Sequence, residues 1–323
     1  MARLIDRYVG HTHQLSQLMH MRENARLPHA MLLVGPSGVG KRTIALVVAQ
    51  SLVCEAPSAK PCGLCGPCLR MEKQQSESLY NIQPDPEYAK PAIKVEDIRE
   101  LLERLSLAPI GLARIVIIDQ AHLMNEQASN ALLKTLEEPS PNLFFFLIAN
   151  EASQLLPTIR SRVQTMRFSG LVYEQLHQLK PGLPDWAYRS SRGQLDRLDQ
   201  LTNKQGLAER KEALELLEQF CFDEDFLLRD EWRKSFKDDR AWALFNMGCW
   251  VQMLRDTLIL KTDTNKFILN TDQNELLKKL YTLSVNKLLW LVTQLVQSMR
   301  DTRGNQDVVL IFDSLRVKYA RVD

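Results

Sequence analysis

Residues 30–41 read Ala30-Met31-Leu32-Leu33-Val34-Gly35-Pro36-Ser37-Gly38-Val39-Gly40-Lys41, and this stretch decides the fold. Five apolar residues in an unbroken run predict a strand covered on both faces, as in a parallel sheet. The spacing that follows is G-x-x-x-x-G-K, opening onto a helical stretch. Gly35, Gly38 and Gly40 let the backbone curl so that its N–H groups converge on a phosphate, and the helix N-terminus adds positive potential. Lys41 is then placed to reach the outer phosphates. A glycine-rich turn that only joins strand to helix is the bland alternative. Spacing and context both favour the phosphate loop.

Working outward, Ile115 to Ile118 predicts a second strand ending at Asp119, and Phe144 to Ala149 a third ending at Asn150. Between them, Val95, Ile98, Leu101, Leu102 and Leu105 recur at three and four, the apolar face of a helix. Asn125 to Glu138 reads as another helix, stopped by Pro139. Strands alternating with helices make an α/β domain of parallel topology, ending near Phe168. Beyond Gly170 the strand pattern fades into a small helical unit reaching about Asn203, and from about 208 the chain is mostly helix. There Leu288, Leu291, Val292, Leu295 and Met299 form a core stripe, and Trp232, Trp242 and Trp250 mark a packing centre.

The loop departs from a working phosphate-transfer site at two points. Ser or Thr is required after the lysine, because its hydroxyl ligates Mg²⁺; here it is Arg42. A guanidinium has no acceptor atom to offer a metal. Thr43 does not substitute, since one step along a helix turns the side chain by about 100°. Asp119 matches the acidic residue that holds magnesium, but Gln120 stands where a glutamate would activate water, and an amide cannot take that proton. Both changes point to a nucleotide fold that does not turn over ATP.

Cys54, Cys62, Cys65 and Cys68 read C-x7-C-x2-C-x2-C. Four thiolates at short spacings suit a tetrahedral structural Zn²⁺, with tight turns supplied by Gly63 and Gly66-Pro67. Buried free thiols or a redox C-x-x-C fit this density of cysteines less well. Cys221 and Cys249 stand apart and read as core residues.

The chain has 323 residues, 45% hydrophobic and 25% charged, enough for two or three domains with real cores. A formal net charge of +2 excludes a strongly basic, whole-surface nucleic-acid binder. The longest apolar run, Leu143 to Ala149, falls far short of the ~20 residues that span a bilayer, and the N-terminus lacks a signal-peptide core. The expectation is a cytoplasmic protein with reduced or metal-bound cysteines.

After the third strand comes Leu155-Leu156-Pro157-Thr158-Ile159-Arg160-Ser161-Arg162-Val163. Alone, this is two surface arginines. Just beyond the strand bearing Asn150 in a phosphate-loop domain, it is placed to project into a neighbouring subunit's nucleotide site. Arginine fingers supplied in trans are worth about 10³ to 10⁵ in rate.

With GPSGVGK, the cysteine insertion, IIDQAH, NALLKTLEEP, FFFLIAN and LLPTIRSR in this order, the chain resembles the bacterial clamp-loader AAA+ proteins. The resemblance covers almost the whole length and is most specific over 28–163. It implies an α/β P-loop AAA+ module over 1–168 with an inserted zinc knuckle near 54–68. A small helical lid over 169–207 and an all-α collar over 208–323, which joins subunits into a ring, complete the expected chain. The activity implied is ATP-dependent loading of the sliding clamp onto primed DNA. The implied partners are the delta and gamma/tau subunits and, through the complex, the clamp and primer-template DNA, with no membrane. The family's Ser-Arg-Cys motif falls on Ser161, Arg162 and Val163, making Arg162 the finger, and its sensor-1 residue on Asn150. Its sensor-2 arginine falls at Asp196, beside Arg197, a third departure in nucleotide handling.

Three readings follow. In the first, the chain hydrolyses nothing alone, whether or not its loop still holds ADP or ATP, and serves its neighbour through Arg162. The second makes it a gamma-like ATPase motor. The third makes the cysteine knuckle a nucleic-acid reader; only Arg70 and Lys73 follow it closely, with no basic cluster and no interleaved aromatics.

Overall fold

The structure is a computed structural model that describes residues 3–84, 91–107, 111–223, 226, 233, 236, 239–262, 267–304 and 306–322. Trp232 lies outside them. The described chain divides into two compact units, one of Met1–Leu179 with Gly193–Leu195, the other of Lys180–Arg192 with Asp196–Asp323.

The first unit is built on one parallel sheet. Its strands are β1 (Ala30–Val34), β2 (Leu79–Ile82), β3 (Arg114–Ile118), β4 (Leu143–Ala149) and β5 (Gln164–Arg167), in the order β2-β3-β4-β1-β5. The three continuous apolar runs are the three inner strands, as burial on both faces requires. Alternate residues serve opposite faces. Leu32, Val116, Phe145 and Leu147 meet Ile98, Leu101, Leu132 and Leu136 from helices Val95–Ser106 and Glu126–Glu137. Met31, Leu33, Ile117 and Phe146 meet Ile44, Ala45 and Val48 from helix Lys41–Val53. The two edge strands were not predicted, because they are short and mixed: of Gln164-Thr165-Met166-Arg167 only Met166 is buried.

Helix Glu126–Glu137 begins where its sequence signals it. Asn125 caps it by accepting a hydrogen bond from the Ala128 amide at 2.7 Å. Register then fixes the site: Val34 lies opposite Ala149 and Ile118 opposite Leu147, so the carboxyl ends of β1, β3 and β4 share one edge. In open parallel sheets ligands bind at that edge.

The second unit is helical. Lys204–Phe222, Arg240–Leu260, Asn274–Tyr281, Val285–Arg303 and Val308–Tyr319 are its main helices. Trp250 is fully buried among Phe220, Phe312 and Leu291, and its indole N–H donates to the Ala213 carbonyl at 2.7 Å. Trp242 packs against the same core, and Cys249 is buried in it. Segment Lys180–Arg192 belongs here: the Arg210 guanidinium lies 3.8 Å from the Trp186 ring centre, and the Gln252 amide donates to Ser190 O. Among the described residues no helix is long and apolar enough to cross a membrane.

Candidate functional site

The loop after β1 has the conformation its glycines predict. Gly35, Gly38 and Gly40 all take positive φ, and a Cβ at Gly35 would lie 2.3 Å from the Phe168 carbonyl oxygen. The Gly35 amide donates back to Asn150 O at 3.1 Å, tying the loop to the end of β4. Among the described residues, none accepts a hydrogen bond from the amides of Gly38, Val39 and Gly40. Lys41, buried at the start of its helix, donates its ammonium protons to Gly35 O at 2.7 Å and Pro36 O at 2.5 Å. The Leu195 amide donates to Gly38 O at 2.9 Å.

Arg42 and Asp119 meet. Their charged atoms lie 3.8 Å apart, and a second Arg42 nitrogen donates to Gln74 Oε1 at 3.0 Å. Asp119 follows β3, where its own amide donates to Ile82 O at 2.8 Å. Gln120 adopts φ +48 and donates its amide to Asp119 Oδ1. Loop amides and Lys41 therefore suit phosphate groups, whereas a guanidinium stands against the carboxylate that would hold Mg²⁺. The donor set fits phosphate and does not fit the metal.

Three flanking residues carried no sequence signal. Tyr8 lies beside Gly40, its ring 3.6 Å from where a Cβ would sit, and burial raises its phenol above the ordinary range. His11 hydrogen-bonds Val39 O through Nε2 at 3.0 Å. Burial, and then the charge of Lys41, lower the pKa of both His11 and His122, so both imidazoles are neutral at pH 7.

The four cysteines come together. Their sulfurs all lie within 4.8 Å of one another, with Cys62 and Cys68 at 4.0 Å. A tetrahedral site with ~2.3 Å zinc–sulfur bonds needs sulfurs about 3.8 Å apart, so the set fits. Cys54 ends helix Lys41–Val53, and Cys65 and Cys68 frame the start of helix Gly66–Glu72, with Pro67 in its first turn. The amides of Leu64 and Cys65 donate to Cys62 Sγ and bring that thiol down to about 6. Burial pushes Cys68 up.

Arg162 follows the short helix Pro157–Arg160. Its guanidinium is held against its own unit: Nε donates to Glu137 Oε1 at 2.7 Å, Nη2 pairs with the same carboxylate, and Nη1 donates to Thr158 O and Ser161 Oγ. Glu137 lies within NALLKTLEEP, but nothing in the sequence pairs it with Arg162. In the second unit Asp196 is exposed and Arg197 is the more enclosed.

A parallel sheet carrying a phosphate loop, an acidic residue after β3 and a polar residue after β4 defines a P-loop nucleotide fold. The chain belongs to the clamp-loader family described as DNA polymerase III, delta subunit, whose model matches residues 10–171. It is 38% identical over 175 residues to DNA polymerase III subunit tau of Escherichia coli, covering 53% of this chain and 26% of that protein. It is 39% identical over 140 residues to DNA polymerase III subunit delta' of Pseudomonas aeruginosa, covering 43% and 42%. The chain thus spans less than half the length of these relatives. A solved gamma subunit-related protein of Thermotoga maritima shares the fold over 94% of this chain and 98% of that one, with a TM-score of 0.52 and 19% identity.

Proposed function

We propose that the chain is a delta-prime-type subunit of the DNA polymerase III clamp loader that does not hydrolyse ATP. It joins the ring of delta and gamma/tau subunits, and it takes part in placing the sliding clamp on primed DNA. The ion pair between Arg42 and Asp119 carries this reading. A metal site needs a neutral hydroxyl and a free carboxylate; here both positions are taken by a salt bridge, and Gln120 supplies no base. The likeness to subunit delta' of Pseudomonas aeruginosa supports the same choice. The likeness to tau keeps the motor reading as the alternative.

Arg162, with Ser161 beside it, is the arginine finger in this proposal. Asn150 marks the polar end of β4, and Gly35, Gly38, Gly40, Lys41 and Asp119 form a degenerate nucleotide site. Cys54, Cys62, Cys65 and Cys68 would hold a structural zinc that cross-links the insertion following helix Lys41–Val53. The proposed organisation is an AAA+ module over 1–168, a lid over 169–207 and a collar over 208–323. The test is reconstitution: Arg162→Ala should assemble normally yet lower ATP hydrolysis by the whole loader at least about tenfold, a conservative share of what such fingers contribute. Unchanged hydrolysis would remove the finger.

A further inference from the structure

The segment before helix Thr12–Glu23 cannot hold its own shape. Leu4–Arg7 is one turn of 3₁₀ helix, four residues long and without a buried residue, too short to persist on local bonds. Its seat is made elsewhere. The Leu4 amide donates to Gln50 Oε1 at 2.9 Å, and the fully buried Gln50 donates in turn through Nε2 to Cys68 O at 3.0 Å. Arg7 pairs with Glu72, the last residue of helix Gly66–Glu72. Leu4 and Tyr8 pack against the apolar cluster that contains Met71 of that helix. Both polar tethers therefore lead to the helix whose start Cys65 and Cys68 frame, and at the end of the tethered segment Tyr8 lies against Gly40. A third bond reaches the loop directly: Gln74, two residues past the helix and at φ +54, accepts from Arg42 Nη2 at 3.0 Å.

The insertion that carries these tethers has little core of its own. Between Cys54 and Cys68 the buried residues are Pro61 and Gly63, and Leu64 is 82% exposed. A segment with so little apolar burial needs a cross-link, and four thiolates around one ion supply it. We propose that residues 4–8 form a strap whose seat on the phosphate loop depends on metal in the set Cys54, Cys62, Cys65 and Cys68. With metal bound, Gln50 and Glu72 hold the strap and Tyr8 covers Gly40; without it, the strap lifts and the loop is uncovered. The proposal rests on the reading of the four cysteines as a zinc site, and adds what that site controls. Linkage makes the effect reciprocal: a strap seated by the metal strengthens metal binding by the same factor.

The test is hydrogen exchange of the full chain read by mass spectrometry, with zinc and after chelation, the zinc content being measured on each sample. At labelling times when Arg114–Ile118 takes up no deuterium in either sample, peptides spanning residues 4–8 should exchange at least about tenfold faster without zinc. In competition against a chromophoric chelator, Arg7→Gln should weaken zinc binding by about two- to fivefold, the range of a partly exposed ion pair. Gln50→Met, which removes the bonds to Leu4 and Cys68, should weaken it further. Equal exchange of the strap with and without zinc, or Arg7→Gln binding zinc as wild type does, would overturn the proposal and leave the zinc site standing. Protein that takes up no zinc would overturn both.

Discussion

Arg162 is bonded to Glu137 within its own chain through Nε and Nη2, while Nη1 donates to Thr158 O and Ser161 Oγ. The two residues come from different elements, the end of helix Glu126–Glu137 and the turn after helix Pro157–Arg160. An arginine that serves a neighbour must first leave, or share, this carboxylate.

Glu137→Gln keeps the side chain's size and removes its charge. With the carboxyl side chain 47% exposed, the variant should lose less than about 1 kcal/mol of stability. Hydrolysis by the reconstituted loader should rise by about two- to fivefold, since releasing the guanidinium costs up to about 1 kcal/mol less. A fall resembling that of Arg162→Ala would mean that Glu137 aims the arginine instead of restraining it.

Zinc removal should act on the first unit. Its residues include no tryptophan, whereas Trp186, Trp242, Trp250 and Trp290 all lie in the second. Structural zinc contributes ~10–16 kcal/mol in small zinc-finger peptides, and a larger core dilutes that. A loss of about 2 kcal/mol lowers a melting midpoint by roughly 4–8 °C in a domain of this size. Chelation should therefore lower the midpoint followed by circular dichroism by at least about 5 °C while tryptophan fluorescence stays native. Metal analysis of purified protein that finds no zinc would exclude the site.

Asp272 gives the second unit an acid limit. Burial opposes its ionisation, but paired hydrogen bonds and charge from Arg210 outweigh it and hold the carboxyl below the usual range. Because the folded pKa is depressed, the stabilisation is complete above about pH 4 and is lost as pH falls toward the folded value. Asp272→Asn should be less stable than wild type at pH 7, and the two should converge below about pH 4 by tryptophan fluorescence. A constant difference down to the lowest pH would assign the effect to packing.

The inner strands were legible because burial on both faces leaves a run with no polar residue, as in Ile115 to Ile118. The edge strands were not: Leu79–Ile82 and Gln164–Arg167 each bury one face at most and read as loop. Cysteine spacing gave the four-sulfur cluster, since its members are close in sequence. Tyr8 and Glu137 reach their partners through sheet order and helix packing, across 32 positions to Gly40 and 25 to Arg162. No local pattern records that. The pairing of Arg42 with Asp119 falls between: each residue was read as a defect or a ligand alone, and only their shared sheet edge makes them a salt bridge.

Steady-state ATP hydrolysis by the isolated chain, with magnesium, clamp and primed DNA present, addresses the central claim most directly. The expected result is no turnover above background, and no difference between wild type and Lys41→Ala. Turnover that rises with clamp and DNA and disappears in Lys41→Ala would contradict it, and would make this chain a motor.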